Sequence, residues 1–140
     1  MSFVELKTDP FQDFDTTFTC FVLEGERSTC GIAFRIIDSR NFYWFEVYRS
    51  GYYELGQLNG SKWQTVIPKT MSSQIQNNQN TIHLQCNGNQ LKAYINGNQV
   101  IDTGLIPSAP GSIGLAASSF EEQHTKVAFD DFSLNVLDVP

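Results

Sequence analysis

Hydrophobic and polar residues alternate along most of the chain in short runs, which is the pattern of half-buried β-strands. Between residues 81 and 101, three such runs are separated by two copies of the tetrapeptide Asn-Gly-Asn-Gln. Asn-Gly favours the tight turns of β-hairpins, because those turns need positive φ angles. This stretch therefore predicts three consecutive strands joined by two tight turns.

Similar runs recur about every 8–12 residues with turn-forming residues between them, and almost nothing indicates helix, which is typical of an all-β sandwich. The predicted strands lie near 3–6, 17–23, 31–37, 42–48, 52–57, 63–67, 81–86, 91–95, 99–103, 112–118 and 126–137. With 140 residues, of which 41% are hydrophobic, the chain is predicted to form one domain over residues 1–140.

Pairing across the predicted turns divides each strand between a core face and an open face. A turn at 38–41 places Phe34 opposite Phe45, and a turn at 49–51 gives the same core face. The predicted core residues are Ile32, Phe34, Ile36, Tyr43, Phe45, Val47, Leu84, Ala93, Ile95, Leu115 and Phe129. In the last strand the apolar alternation changes phase, which predicts a β-bulge at Asp130–Asp131.

The open face gathers polar and aromatic side chains that form the candidate binding site. They are Arg35, Trp44, Glu46, Tyr48, Tyr52 and Glu54. Three large rings on a solvent-facing strand surface leave apolar area in water, which is typical of an interaction site. Rings beside charged groups suit sugars, although a structural role, with the face covered by other strands or a partner, stays open. His83 and Tyr94 are candidates for the same type of surface.

Charge and composition narrow the partners. A net charge of −6 and a pI near 4.7 argue against nucleic-acid binding, and no apolar run approaches the roughly 18 residues of a membrane span. The start of the chain lacks the features of a signal peptide, and the compartment stays open. No cofactor is predicted. The one metal considered is Ca²⁺, for which Asp130 and Asp131 could act with Asp13, Asp15 or Asp38 from loops.

The cysteines leave two alternatives. Cys20 and Cys30 flank the segment EGERST and could form a disulfide across a hairpin. Reduced thiols are the default for a chain without a signal peptide, and both states stay open. Cys86 lies on an apolar strand face and is predicted to be a buried thiol.

The segments GIAFRIIDSRNFYWFEVYRSGYYELGQLNGSKW, LKAYINGNQV, GSIGLAA and VAFDDFSLNVL, in this order, resemble laminin-G-like domains of the concanavalin A-like lectin/glucanase superfamily. The likeness is to bacterial 3-keto-disaccharide hydrolase-like modules. It implies an antiparallel jelly roll with one concave sheet, and carbohydrate or protein binding more often than catalysis. Such modules usually have a further N-terminal segment, so the chain is expected to lack an N-terminal strand or to come from a longer one. An exposed edge would then favour a partner or an oligomer.

Catalysis is the competing interpretation. Retaining glucanases of the superfamily carry two Glu and an Asp as E-x-D-x-x-E, whereas residues 45–54 contain Glu46 and Glu54 without the central Asp. The two are predicted to face each other, and the pair could match the carboxylate spacing of about 5–5.5 Å in retaining glycosidases. The sequence predicts a non-catalytic binding module, with carbohydrate as the first ligand class. A hydrolase using Glu46 and Glu54, or a structural module for protein assembly, is the alternative.

Overall fold

The computed structural model describes residues 2–24, 28–119 and 126–137. Eleven strands occur in these ranges: β1 (Ser2–Glu5), β2 (Phe14–Glu24), β3 (Ser28–Asp38), β4 (Asn41–Tyr48), β5 (Tyr52–Asn59), β6 (Lys62–Met71), β7 (Gln79–Asn87), β8 (Gln90–Ile95), β9 (Asn98–Thr103), β10 (Ser112–Ser119) and β11 (Lys126–Val136). Each overlaps one of the strands predicted from the sequence. The described part of the chain contains no helix that is long and apolar enough to cross a membrane.

The strands form two antiparallel sheets that pack face to face. The six-stranded sheet, called the front sheet below, has the order β1-β10-β3-β4-β5-β6. The five-stranded back sheet has the order β11-β2-β7-β8-β9. Strands from opposite ends of the chain are neighbours in both sheets, as in a jelly-roll sandwich. The predicted fold class is therefore confirmed.

The main core lies between the two sheets. Its largest fully buried side chains are Phe14, Phe18, Ile32, Phe34, Phe45, Leu55, Ile82, Leu84, Leu91, Ile95, Ile106 and Ile113. Of the residues predicted from the sequence, all except Ile36 belong to this cluster or pack against it. The alternation of the strands therefore identified the buried face correctly.

The predicted register is correct in one hairpin and wrong in the other. In β4–β5, Phe45 pairs with Leu55, as predicted. In β3–β4, Phe34 pairs with Tyr43 rather than with Phe45, and Ile32 takes the place opposite Phe45. The error is an even number of residues, so it leaves every side chain before the irregularity on its predicted face.

A bulge near the end of β3 explains both the register error and the exception of Ile36. The pairing shifts between Phe34 and Asp38, and Arg35 has a φ angle of 48°. Beyond this residue the faces exchange: Ile36 lies on the solvent side of the front sheet, in a second cluster. Gly111 approaches so closely that a Cβ there would lie 2.5 Å from the Arg35 carbonyl carbon, so only glycine fits beside the distorted backbone.

Arg35 is therefore not on the open face, which corrects its predicted place in the site. It is 3% exposed, and its guanidinium donates to backbone carbonyls at one end of the sandwich. The acceptors are Gly88 at 2.7 Å, Ile106 and Gln12 at 3.4 Å each, and Pro107. The side chain therefore links the two sheet-connecting loops, after β1 and after β9, to the β7–β8 turn of the back sheet.

The two Asn-Gly-Asn-Gln copies form tight turns as predicted, but in different frames. In the first, Asn87 pairs with Gln90 and Gly88 has a φ of 61°. In the second, Ile95 pairs with Asn98, so Asn96 and Gly97 are the central residues, with φ angles of 51° and 84°. The second turn therefore meets the requirement of a type I′ turn, which is a positive φ at both central residues.

The predicted bulge in β11 is confirmed. The pairing with β2 shifts between Asp130 and Ser133, and Asp131 has a φ of 53°. One extra residue in this strand keeps apolar side chains on both sides of the shift against the core.

Cys20 and Cys30 form a disulfide with a Cα–Cα distance of 6.3 Å. The predicted hairpin between them is wrong, because Cys20 lies in β2 of the back sheet and Cys30 in β3 of the front sheet. The bond therefore links the two sheets through the core. Residues 25–27 of the intervening segment lie outside the described ranges, and Cys86 is a buried free thiol, as predicted.

Candidate functional site

The solvent side of the front sheet is concave. The rings of Phe3 on β1 and Phe42 on β4 have their centroids 5.0 Å apart, although β10 and β3 lie between these strands. Strands in a flat sheet are about 4.8 Å apart, so β1 and β4 would be separated by about 14 Å. The contact requires the sheet to curl, and this side is called the concave face below.

One end of the concave face is filled by apolar side chains. Trp44 is 7% exposed and packs with Phe42 and Leu58. Its ring lies against Gly56, where a Cβ would be 2.1 Å from the indole. Trp44 was predicted to be an exposed part of the binding surface, and this prediction is wrong. The curl of the sheet and the neighbouring strand β6 cover it.

Trp63 on β6 is the exposed ring at this end. It is 56% exposed. Its ring meets Trp44 edge-to-face with centroids 5.0 Å apart, and Phe42 likewise at 6.1 Å. These contacts fix its orientation from two sides. Trp63 was not identified from the sequence, although extending the pairing through the turn at Gly60–Ser61 places it opposite Leu58, on the concave face.

The other end of the concave face, called the polar end below, is built around Glu46 and Glu54. These residues pair across β4 and β5, as predicted. Thr29 Oγ1 donates to Glu46 Oε2 at 2.8 Å. The Tyr48 hydroxyl lies 3.3 Å from Glu46 Oε1 and 3.3 Å from Glu54 Oε1. The two carboxyl groups therefore share one phenol as a neighbour.

Glu46 is 4% exposed, and burial raises the pKa of its carboxyl group. The charge of Glu54 raises this pKa further. Hydrogen bonds from Thr29 and Tyr48 act in the opposite direction but do not reverse the shift. The indole of Trp44 also lowers this pKa slightly, although its buried Nε1 makes no hydrogen bond of normal geometry. The net effect favours the protonated acid.

The Tyr48 hydroxyl cannot satisfy both carboxylates, because a phenol has a single proton to donate. When both Glu46 and Glu54 are ionised, one of them faces an oxygen lone pair. Burial and the two carboxylates raise the pKa of Tyr48, so the phenol retains its proton. Among the described residues, the cluster therefore has no full counter-charge unless a proton or a cation joins it.

Lys69 supplies a cation to the aromatic side of this cluster. Its Nζ lies 4.4 Å from the centre of the Tyr48 ring and 4.8 Å from that of Tyr52. Tyr48 is buried and Tyr52 is half-buried, so the predicted exposure of these rings is only partly correct. Lys69 was not identified from the sequence. The pairing of β6 with β5 shifts register twice, so alternation along β6 does not show which of its side chains lie on the concave face.

His83 and Tyr94 lie on the outer side of the back sheet, away from the concave face. Their rings stack with centroids 5.0 Å apart, and His83 Nε2 lies 2.6 Å from Asp15 Oδ1. The Gln85 amide donates to the other oxygen of Asp15 at 2.9 Å. These residues form a separate polar cluster.

The acidic residues considered for calcium lie in separate places. Asp38 accepts hydrogen bonds within its own β3–β4 turn, from Arg40 N and from the Asn41 side chain. Asp130 accepts one from Asp131 N. Within the ranges that the structure describes, no three His, Cys, Asp or Glu side chains are grouped so that they could hold a metal ion.

A concave front sheet backed by a second antiparallel sheet is the architecture of concanavalin A-like jelly rolls. The chain belongs to the family of 3-keto-alpha-glucoside-1,2-lyase-like domains, whose model matches residues 2–135. The resemblance found in the sequence is thus confirmed. A comparison with curated proteins gave no match.

Solved structures with the same fold include a carbohydrate-binding module and galectins. The carbohydrate-binding module CBM66 from Bacillus subtilis superposes with a TM-score of 0.79 at 18% identity, over 95% of this chain and 80% of that one. Xenopus laevis galectin-Ib gives 0.70 at 14% identity, over 96% and 100%. Sheep galectin-11 gives 0.66 at 8% identity, over 96% and 95%. At these identities the likeness establishes the fold.

The covered position of Trp44 gives a testable consequence for stability. Trp44→Ala should lower the free energy of unfolding by about 3–5 kcal/mol, as truncation of a core aromatic does. Phe45→Ala in the main core should cost a similar amount, whereas Trp63→Ala should cost about 1 kcal/mol, the scale of its aromatic contacts. Chemical denaturation of the three variants measures these values.

Gly56 provides the internal control for that measurement. Gly56→Ala should destabilise the wild-type chain by about 1–3 kcal/mol because the new methyl group collides with the indole. In a Trp44→Ala background the same change should be nearly neutral. Equal costs of Gly56→Ala in both backgrounds would show that Trp44 does not lie against this glycine.

The raised pKa of Glu46 predicts how stability depends on pH. The protonated acid is favoured in the folded chain, so its contribution is complete below the unfolded pKa and is lost as the pH rises through the folded one. Glu46→Gln should therefore gain stability relative to the wild type as the pH rises above the ordinary pKa of a Glu side chain. Unfolding curves at several pH values test this, with the exposed Asp102→Asn as the control for loss of a charge. Parallel pH profiles of wild type and Glu46→Gln would contradict it.

Proposed function

We propose that this chain is a carbohydrate-binding module whose ligand lies along the concave face, between Trp63 and the polar end. The observation that carries the proposal is Trp63. It is more than half exposed, yet two buried rings hold it in one orientation. An exposed, fixed indole offers a flat apolar surface that the C–H face of a sugar ring can cover without ordering a flexible side chain.

The polar end supplies the second requirement of a sugar site, which is a set of hydrogen-bonding groups beside the stacking surface. Glu54 and Tyr52 are partly exposed there, and Lys69 reaches over the rings of Tyr48 and Tyr52. On β5, Leu58 opposite Trp63 and Tyr52 at the polar end are separated by about 20 Å of strand. A ligand that touches both ends would be an oligosaccharide rather than a single sugar.

The comparisons support this assignment as analogies of fold. A protein named as a carbohydrate-binding module and two galectins share the sandwich over nearly all of this chain. The family name refers to a 3-keto-glucoside lyase, which also points to glycosides as the relevant chemistry. Fold and family support a sugar as the ligand class, and the site residues are argued from this chain's own geometry.

Acid–base catalysis on a glycoside is the second candidate function, and Glu46 favours it. A buried carboxyl group with a raised pKa beside a second carboxyl group is the arrangement that general acids use. Glu54 would then be the paired carboxylate. Incubation with 3-keto-glycosides distinguishes the two functions. Steady turnover by the wild type that is lost in Glu46→Gln would show that the chain is an enzyme rather than a binding module.

The binding proposal predicts that replacing Trp63 weakens ligand binding strongly but leaves the chain folded. A glycan array should identify a bound oligosaccharide, and Trp63→Ala should weaken its binding about tenfold or more, as loss of a central aromatic contact does. Titration calorimetry measures the affinity, and thermal unfolding confirms that the variant is folded.

Leu105→Ala is the matched control, because Leu105 is an exposed apolar residue after β9 and outside the concave face. It should bind like the wild type. If a folded Trp63→Ala variant binds the array ligand with wild-type affinity, the ligand does not bind at the concave face. An array without any bound glycan would overturn carbohydrate binding itself.

A further inference from the structure

We infer that the polar end recognises a protonated amine, so that the preferred ligand is an oligosaccharide carrying free amino groups. This inference rests on the proposed carbohydrate-binding function and specifies the substrate class. It draws on two independent observations: an ammonium group already seated on the aromatic rings, and a pair of carboxyl groups that has no counter-cation among the residues that the structure describes.

The seated ammonium group is that of Lys69. Its Nζ lies over the faces of both Tyr48 and Tyr52, at 4.4 Å and 4.8 Å from the ring centres. The negative face of an aromatic ring attracts a cation within about 6 Å, and paired rings of this kind bind ammonium ligands in other proteins. The chain's own lysine thus shows that an ammonium ion fits this position.

The carboxyl pair is Glu46 and Glu54. They face each other across neighbouring strands, an arrangement that destabilises a sheet when both are charged. Within the described residues, no Lys or Arg nitrogen lies within 4.0 Å of either carboxylate, and the one contact of a basic side chain with a carboxylate joins His83 to Asp15. The ammonium of Lys69 therefore contacts the rings without neutralising the acids. A ligand amine placed between the rings and the acids could do both.

An amine suits this site better than a metal ion. Fewer than three ligating side chains come together among the described residues of this end, whereas a metal ion needs more oxygen ligands in a fixed geometry. The aromatic faces favour an organic cation, which keeps part of its attraction when water is removed. A sugar amine would also leave the hydroxyl groups of the same ring available to Glu54 and Tyr52.

Lys69 is then an intramolecular competitor for its own site. Its side chain is exposed and flexible, so a ligand can displace it. Displacement uncovers the Tyr48 ring, and the ligand amine replaces one cation–π contact with another while adding attraction to the carboxylates. Removing Lys69 should therefore strengthen the binding of amino sugars rather than weaken it.

The test compares three β-1,4-linked tetrasaccharides that differ only at C2 of each ring. They carry a free amine (glucosamine), an acetylated amine (N-acetylglucosamine) or a hydroxyl group (glucose). By calorimetry the glucosamine tetramer should bind tightest. Its affinity alone should fall with added salt, because attraction between exposed charges is screened.

Two variants and a control locate the effect. Lys69→Ala should raise the affinity for the glucosamine tetramer roughly two- to fivefold, the scale of an exposed cation–π contact. Glu54→Gln should lower it about tenfold, or about 1.4 kcal/mol. Lys62→Ala removes an exposed lysine from the start of the same strand and should leave the affinity unchanged.

The outcomes separate this inference from the proposed function. Equal binding of the three tetramers, a preference for the acetylated or hydroxyl form, or no binding of the glucosamine tetramer overturns the amine site. Weaker glucosamine binding by a folded Lys69→Ala variant also overturns it. Carbohydrate binding as such survives any of these results if another glycan still binds at Trp63.

Discussion

The packing of Trp44 against Gly56 is the contact on which the concave face depends. A side chain at position 56 would collide with the indole, so only glycine lets the ring pack directly against the sheet. In this position Trp44 fills one end of the face and supports Trp63 by its edge. The same contact therefore creates a second small core and leaves Trp63 as the exposed ring that the described residues hold in place at this end.

Glu46 follows Trp44 by two residues on the same face of β4, and its carboxyl group bonds to Thr29 and Tyr48. Burial of this carboxyl group is the largest cause of its raised pKa. The front sheet thus places an apolar support and a charged cluster side by side on one curved surface, as recognition of a ligand with apolar and polar faces requires.

Much of the fold could be predicted because its determinants are local. Alternation of apolar residues located the strands, and the turn after Tyr48 fixed the pairing of Glu46 with Glu54. The bulge in β3 could not be predicted, since the positive φ of Arg35 occurs where the backbone packs closely against Gly111, a residue far along the chain. Its side chain then bonds to loop carbonyls that no local pattern connects with it.

The site was predicted at the level of which residues share a face, but not which of them reach solvent. Parity assigned Trp44, Tyr48 and Glu54 to the solvent side of the front sheet correctly. Exposure depends on the curl of that sheet and on the edge strand β6, whose register shifts twice. Trp63 and Lys69 on β6 were therefore missed, although they are the groups that contact the predicted residues from outside.

Chemical-shift mapping tests the central claim, that the concave face holds the ligand, most directly. The chain has two tryptophans, so their indole N–H signals are easily assigned with Trp63→Ala. Titration with a bound glycan should move the Trp63 indole signal most, together with backbone amides of β4, β5 and β6. Shifts confined to β7 and β8, around the His83–Tyr94 stack on the back sheet, would contradict the account.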